Sequence, residues 1–393
     1  MMKLQTSASF RAVAKAAVIM DIYLNVFLRK PSHTTILCWV KKIGIYQLKK
    51  EKEKSDDWVL IVDESIQIGQ EKLLVILGIR LGQIDFTRPL KHGDLTPLCS
   101  RAASKWSADD ISSIINGLKP EIGEVLYILS DCNSNLKKTA EVLEVGHIPD
   151  ISHWFASVLR QIYQGEEEFK DMLQRMSQMR FRLCCSKAAH IIPPKQRTDS
   201  RFMNIKILTD WAAKAIRAYD RLDGDLSAEN KIAKDELAWL AEKREFIDEI
   251  SRIADTANRI MKILKHKGLS YSTIKECRAE LAVFTDGRYA LFAQKAQGYF
   301  DTVFERVKKQ SLLITSDIIE SAFGKYKNYL SCNKMAGITD LALCIPAFTF
   351  DLSQKDEIKK AIETVSVKDI NQWGIDNIGK TLMTRRREMF VIN

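Results

Sequence analysis

The chain has 393 residues, enough for two or three domains and at least one sizeable core. Hydrophobic residues make up 46% and charged residues 28%, an ordinary globular balance, and no apolar run nears the roughly 20 residues that a membrane helix needs. The net charge of +10 is unevenly spread: residues 1–50 hold nine Lys or Arg against one acid, Asp21, which points to a polyanionic partner, nucleic acid before others.

Arg11 and Lys15 cut across the N-terminal apolar residues, so no secretory signal is expected. The spacing there predicts a helix over 10–23. From Pro31 a second, short helix is predicted to end at Gly44. Ser32 can cap it, and Ile36, Trp39, Val40 and Ile43 fall at i, i+3, i+4 and i+7. His33, Thr34, Thr35, Lys41 and Lys42 are left on outward faces. Two short helices with a polar, basic edge fit a helix-turn-helix, whose second helix enters the major groove. Residues 1–50 are therefore expected to be a DNA-binding head, with those five side chains as its DNA contacts. Residues 49–54 (KKEKEK) read as a charged linker.

At Trp58 the texture changes. Trp58-Val59-Leu60-Ile61-Val62-Asp63 is a near-continuous apolar run closing on a carboxylate. After a turn-like stretch (64–71), Leu73-Leu74-Val75-Ile76-Leu77-Gly78-Ile79 completes a predicted hairpin of buried strands. A helix is predicted over 107–118. Glu124-Val125-Leu126-Tyr127-Ile128-Leu129-Ser130-Asp131 repeats the pattern of a strand running into an acid. A helix over 134–143, a short strand within 145–151 and a helix over 152–163 follow. Strand signals then vanish until about residue 310, and 208–222, 230–265 and 288–309 have the apolar spacing of helices. A last helix is predicted over 316–329, before a mixed tail carrying Arg385-Arg386-Arg387. The eight cysteines form no CxxC pair and are expected to be reduced, mostly buried thiols without a structural zinc site.

Three carboxylates stand out. Asp63 and Asp131 each end an apolar strand, and Glu320 sits on a helix whose packing face is Ile318, Ile319, Ala322, Phe323 and Tyr326. An acid in such surroundings is costly to ionise unless it is paired, hydrogen-bonded or metal-bound. Two strand-end acids with a third from a helix laid over the sheet suit two Mg²⁺ or Mn²⁺ ions, whose ligands are oxygens. Singly, each has a plainer role: turn former or helix cap for the aspartates, partner of Lys325 or Lys327 for Glu320.

The ordered blocks Trp58-Val59-Leu60-Ile61-Val62-Asp63-Glu64-Ser65, Leu129-Ser130-Asp131-Cys132-Asn133-Ser134-Asn135 and Asp317-Ile318-Ile319-Glu320-Ser321-Ala322-Phe323-Gly324-Lys325-Tyr326-Lys327 resemble the three acidic blocks of DDE transposases. The resemblance covers roughly residues 30–330. It implies an α/β fold, an RNase H-like mixed sheet with flanking helices interrupted by an all-helical insertion, as in hAT-like and related bacterial insertion-sequence enzymes. It implies Asp63, Asp131 and Glu320 as ligands of two Mg²⁺ or Mn²⁺ ions. The expected partner is double-stranded DNA, both transposon ends and target, bound by a homo-oligomer in a bacterial, nucleoid-associated setting with no membrane. The expected parts are the head (1–50), the first part of the core (56–164), the insertion (165–312), a core-completing helix (313–335) and a C-terminal segment (336–393).

The chain departs from that pattern at Cys132, where many relatives carry Gly. Residues 147–154 resemble the Asp/Cys-x-x-His element that follows the second acid, which makes Asp150 a rival second ligand and gives His153 a phosphate-contacting or orienting role. Arg175, Arg180 and Arg182 in the insertion are expected as phosphate contacts. A nuclease that cuts without joining, and a transposase-derived DNA binder without catalysis, remain the alternatives.

Overall fold

The structure, a computed structural model, describes residues 1–25, 30–66, 71–198, 200–222, 227–307, 311–330 and 337–391. Parts of the turn expected over 64–71, the end of the helix expected over 288–309, Cys332 and the last residues of the 313–335 segment lie outside the described residues. The chain divides into two compact units: Met1–Ile148 with Thr315–Asn393, and Pro149–Ile314.

The first unit begins with α1 (Met2–Gln5), α2 (Phe10–Leu24) and α3 (His33–Lys49). The Ser9 hydroxyl accepts from the Ala12 N–H to start α2, and Asn25, in the left-handed region at φ 48°, ends it. Ser32 caps α3 as expected, accepting from the Thr35 N–H. A five-stranded sheet follows in the order β3-β2-β1-β4-β5. Its strands are β1 (Ser55–Ile66), β2 (Lys72–Arg80), β3 (Thr96–Ala103), β4 (Gly123–Ser130) and β5 (Gly146–Pro149). β2 is antiparallel to β1 and β3, and β4 is parallel to β1. The expected hairpin and the second strand–acid unit are therefore neighbours in one mixed sheet. Joining parallel strands takes a crossover connection, usually a helix. Here it is α4 (Ala108–Ile122), opened by a capping box in which Ser107 and Asp110 exchange hydrogen bonds. α5 (Ser134–Val142) lies beyond β4.

The central strands are apolar because both of their faces are covered: Val59, Leu60, Ile61 and Val62 have no exposure at all. Trp58, Leu60 and Val62 of β1 join Leu74, Ile76, Ile111, Ile115, Val125, Ile128 and Leu136 in one core against α4 and α5. Alternation along the strand sends Val59, Ile61 and Asp63 to the opposite face. Gly123 opens β4 at φ 90°, where any Cβ would meet the Ser55 carbonyl oxygen at 2.2 Å.

The second unit is helical. It comprises α6 (Ile151–Tyr163), α7 (Glu167–Leu183), α8 (Ile205–Arg221), α9 (Ala228–Glu242), α10 (Arg244–Lys267), α11 (Tyr271–Leu281) and α12 (Gly287–Val307). α10 is its spine: Phe246, Ile247, Ile250, Ile253, Ala257, Ile260 and Leu264 form a buried stripe at helical spacing, and α6, α8, α11 and α12 pack around it. The helix expected over 230–265 is two helices, broken at Lys243, whose ammonium pairs with Asp171 of α7 at 2.8 Å. The unit's two ends lie side by side, with the Ile151 N–H donating to the Ile314 carbonyl at 3.0 Å and Leu269 bridging Leu312. The division from the first unit falls at Pro149 rather than at 165, because α6 packs on α10 and α12.

The chain returns to the first unit with α13 (Asp317–Leu330), α14 (Cys344–Phe348), α15 (Lys355–Thr364), α16 (Val367–Asn377) and α17 (Leu382–Phe390). α3 is packed by α14, α15 and α16 and touches β3. Ile45, Leu343, Val365 and Ile370 are the centre of that packing. Gly44 therefore does not end α3; it lies inside the helix, where a Cβ would stand 2.1 Å from the Leu343 carbonyl oxygen. The charged stretch after α3 is not a loose linker either, since Lys50 pairs with Glu357 at 2.8 Å and Lys49 with Asp369 at 3.4 Å. No helix among the described residues is long and apolar enough to cross a membrane.

Candidate functional site

The parallel register of β1 and β4 sets Leu60 opposite Ile128 and Ile61 opposite Leu129. Carried two residues further, it sets Asp63 level with Asp131, the first residue past β4. Neighbouring strands lie about 4.8 Å apart, and level residues of parallel strands share a face. Asp63 does not end its strand as expected: it lies inside β1, paired with Val75, and β1 runs on to Ile66, whereas Asp131 directly follows β4. The extended register puts both on the side of the sheet away from the α4–α5 core. Both are half-buried. Asp63 Oδ1 accepts from the Glu64 N–H at 2.7 Å, and Asp131 Oδ1 accepts from the Asn133 N–H at 3.0 Å. Asp131 therefore also shapes the turn into α5, which Asn133 caps.

α13 packs against β1. Its buried face is Ile319, Ala322, Phe323 and Tyr326, as expected, except that Ile318 is only half-buried. Glu320 lies in its first turn and is exposed. Among the described residues no three His, Cys, Asp or Glu side chains stand together as a group able to hold a metal ion. The Asp63–Asp131 pair offers the oxygen donors that Mg²⁺ or Mn²⁺ prefer, whereas Glu320 does not complete a three-carboxylate group with it.

Two residues beside Asp131 had no assigned role in the sequence. The fully buried Ser130 hydroxyl donates to the Asp131 carbonyl at 3.0 Å and lies 2.9 Å from His147 Nε2. Which of Ser130 and His147 donates follows from the histidine tautomer. The chain His147–Ser130–Asp131 ties β5 to the acidic end of β4. A polar Ser–Asp pair closing an otherwise apolar strand was the available signal, but nothing local to the sequence pairs it with a histidine 17 residues on.

The rival acid has a structural task. Asp150, fully buried in the second unit, caps α6 through Oδ1, which accepts from the Ser152 and His153 N–H groups at 2.8 and 2.9 Å. His153 is half-buried in the first turn of the same helix.

The expected DNA contacts divide into two groups. His33 and Thr34 are exposed and Thr35 is half-buried at the start of α3. Lys41 instead pairs with Asp340 at 2.7 Å, and Lys42 donates to the Ile362 carbonyl at 2.7 Å, because the face of α3 that carries them meets the C-terminal helices. The insertion's arginines are likewise engaged within their own unit. Arg175 pairs with Asp171 at 3.1 Å, Arg180 donates to the Pro193 carbonyl at 2.7 Å, and Arg182 grips Glu236 with two bonds of 2.9 and 2.6 Å.

A cleft of about 760 Å³ in the first unit is lined by Tyr46, Lys49, Lys50, Glu357, Lys360 and Asp369, among others, and by none of the three acids. Two of its cations are already paired with its acids. The cysteines also depart from expectation: Cys99, Cys277 and Cys344 are buried, but Cys132, Cys184 and Cys185 are exposed.

No protein-family model matches the chain, and no curated protein does. A solved structure, the Drosophila P element transposase strand transfer complex, is similar at 13% identity and a TM-score of 0.41, over 90% of this chain and 94% of that one. Similarity at that level does not fix a shared chemistry.

Proposed function

We propose that the chain is a DDE-type transposase with an RNase H-like core, transferring DNA strands by metal-dependent attack at phosphodiesters. What supports this reading most is the parallel register of β1 and β4, which pairs Ile61 with Leu129 and, extended by two residues, brings Asp63 level with Asp131. Around it stand the features the reading needs: an apolar hairpin, a parallel second strand, and α13 against β1 with Glu320 on it. Between the second and third acids comes an all-helical unit. Asp63 and Asp131 are the residues that would hold Mg²⁺ or Mn²⁺, with Glu320, which does not group with them here, as the third ligand that the resemblance implies. Such ions, when bound, activate the attacking oxygen and stabilise the leaving one.

The protein's own contribution is positioning. Residues 58–62 hold Asp63 on a rigid, dry strand, and His147 with Ser130 fixes the end of β4 from which Asp131 projects. Phosphoryl transfer asks for that kind of placement more than for side-chain acid–base work. His33, Thr34 and Thr35 are the head residues best placed to meet DNA, and the excess of positive charge over residues 1–50 draws the polyanion. Assembly as a homo-oligomer on paired DNA ends belongs to the same proposal.

A second reading, a DNA binder without catalysis, draws on one observation: Glu320 does not close a metal-holding group with the two aspartates. One experiment separates the two. A labelled duplex carrying the element's ends is incubated with wild type and Mn²⁺, and with Asp63→Asn, Asp131→Asn, Glu320→Gln and Asp150→Asn. The proposal expects joined products from wild type and from Asp150→Asn, and none from the other three. Tight binding of the duplex by wild type with no cleaved or joined strand would establish the binder instead.

A further inference from the structure

The Arg385-Arg386-Arg387 run forms the middle of α17, and no residue of that helix is buried, so it does not serve to fill a core. We propose that α17 is a DNA-backbone contact: Arg387 meets a phosphate, and the Arg385–Glu71 ion pair holds the helix beside the acids. The inference rests on the DNA reading above and adds a contact surface to it.

Placement comes first. Arg385 Nη2 donates to Glu71 Oε1 at 2.9 Å, and the Glu71 side chain is only 10% exposed. Glu71 directly precedes β2, in which Val75 pairs with Asp63 and Leu74 with Glu64. Cross-strand partners share a face and neighbours alternate. Val75, Leu73 and, one residue beyond the strand, Glu71 therefore lie on the Asp63 side of the sheet. Lys72 shows the same alternation from the other side, since its ammonium pairs with Glu64 at 2.7 Å. At about 3.4 Å per residue, Glu71 stands about 14 Å along β2 from Val75. Duplex DNA carries a phosphate about every 3.4 Å along each strand, so a duplex with one phosphodiester at Asp63 has others within reach of α17.

Charge supports the same assignment. α17 holds three cations against one acid, Glu388, which pairs with Lys380 at 2.9 Å. The helix dipole favours a cation in the last turn by about 0.3–1 kcal/mol, which accounts for Arg387 singly but not for three arginines in a row. Glu71 neutralises Arg385, whereas Arg387 is exposed and makes no ion pair among the described residues. A guanidinium suits phosphate because its fork of donors matches the phosphate oxygens. Met383, Met389 and Phe390 are exposed on the same helix, as a protein partner would require, but the excess of cations favours a polyanion.

The test measures duplex binding by the full chain without divalent metal, at stepped salt, by fluorescence anisotropy. Each phosphate contact contributes about 0.9 to the slope with which log K falls against log salt. Arg387→Gln is expected to lower the wild-type slope by about 1 and to weaken binding equally on two duplexes of unrelated sequence. Arg387→Lys keeps the slope near wild type. Arg244→Gln, which removes the same charge from a guanidinium paired with Asp220, leaves it unchanged. Unchanged circular dichroism verifies that each variant is folded. A wild-type slope in Arg387→Gln overturns the assignment, leaves the DNA reading standing and makes a protein the partner of α17. An equal loss in Arg244→Gln overturns it as an effect of net charge. Wild type that binds neither duplex overturns both the assignment and the DNA reading.

Discussion

Asp57 stands where β1 begins its pairing with β2. Burial works against its charge, but the Ser55 hydroxyl, the Arg80 guanidinium and the Gly82 N–H all donate to its carboxylate, at 2.5, 2.9 and 2.9 Å. Together they hold its carboxyl down to about 2, from an ordinary 3.8. A carboxyl lowered in the folded state adds stability that is full above the unfolded-state value and is lost as pH falls through the folded one. Because Asp57 lies at the surface, where solvent screens its partners, Asp57→Asn is expected to cost about 1 kcal/mol of unfolding free energy at pH 7. The deficit should close between pH 4 and pH 2, as read by urea unfolding at stepped pH. A deficit that stayed constant down to pH 2 would mean that Asp57 acts through packing rather than charge.

α3 shows best how a helix can be legible while its use is not. Its cap and its apolar stripe are local signals: Ser32, Ile36, Val40 and Ile43 stand as read, whereas Trp39, expected in the same stripe, is exposed. Its extent is not local: Gly44 reads as a stop until the Leu343 carbonyl is seen pressed against it. On helix propensity alone, Gly44→Ala should stabilise the protein by about 1 kcal/mol. Here the added Cβ meets backbone, which cannot swing aside, so overpacking of about 1–3 kcal/mol dominates. The expected outcome is a lower melting temperature, and a higher one would remove α3 from the core. The same non-local packing explains Lys41 and Lys42, whose partners lie some 300 residues away. β3 escaped notice for a different reason. Pro97, Ser100 and Arg101 break its apolar run, and only pairing with β2 makes it a strand. Asp63 and Asp131 were legible because a carboxylate after a run of apolar residues is conspicuous in any sequence, although β1 in fact continues past Asp63 to Ile66. Their shared level was not, since a register belongs to two strands and not to one.

At the scale of the chain, the helical unit enters at Pro149 and leaves at Ile314 with its ends one hydrogen bond apart. An insertion whose ends meet imposes little on its host. Replacing 149–314 with a short Gly-Ser linker is expected to leave a folded sheet unit, and 149–314 alone should give a folded helical one. Each should unfold cooperatively by circular dichroism, and loss of the sheet signal in the spliced chain would show that the units fold only together. The central claim is narrower: Asp63 and Asp131 act as one donor pair. Its most direct measurement is Mn²⁺ binding by the whole chain, titrated by electron paramagnetic resonance, without DNA. The account predicts binding by wild type and by Asp150→Asn, and its loss in both Asp63→Asn and Asp131→Asn. Binding that persists in Asp131→Asn but disappears in Asp150→Asn would contradict it and move the site to the cap of α6.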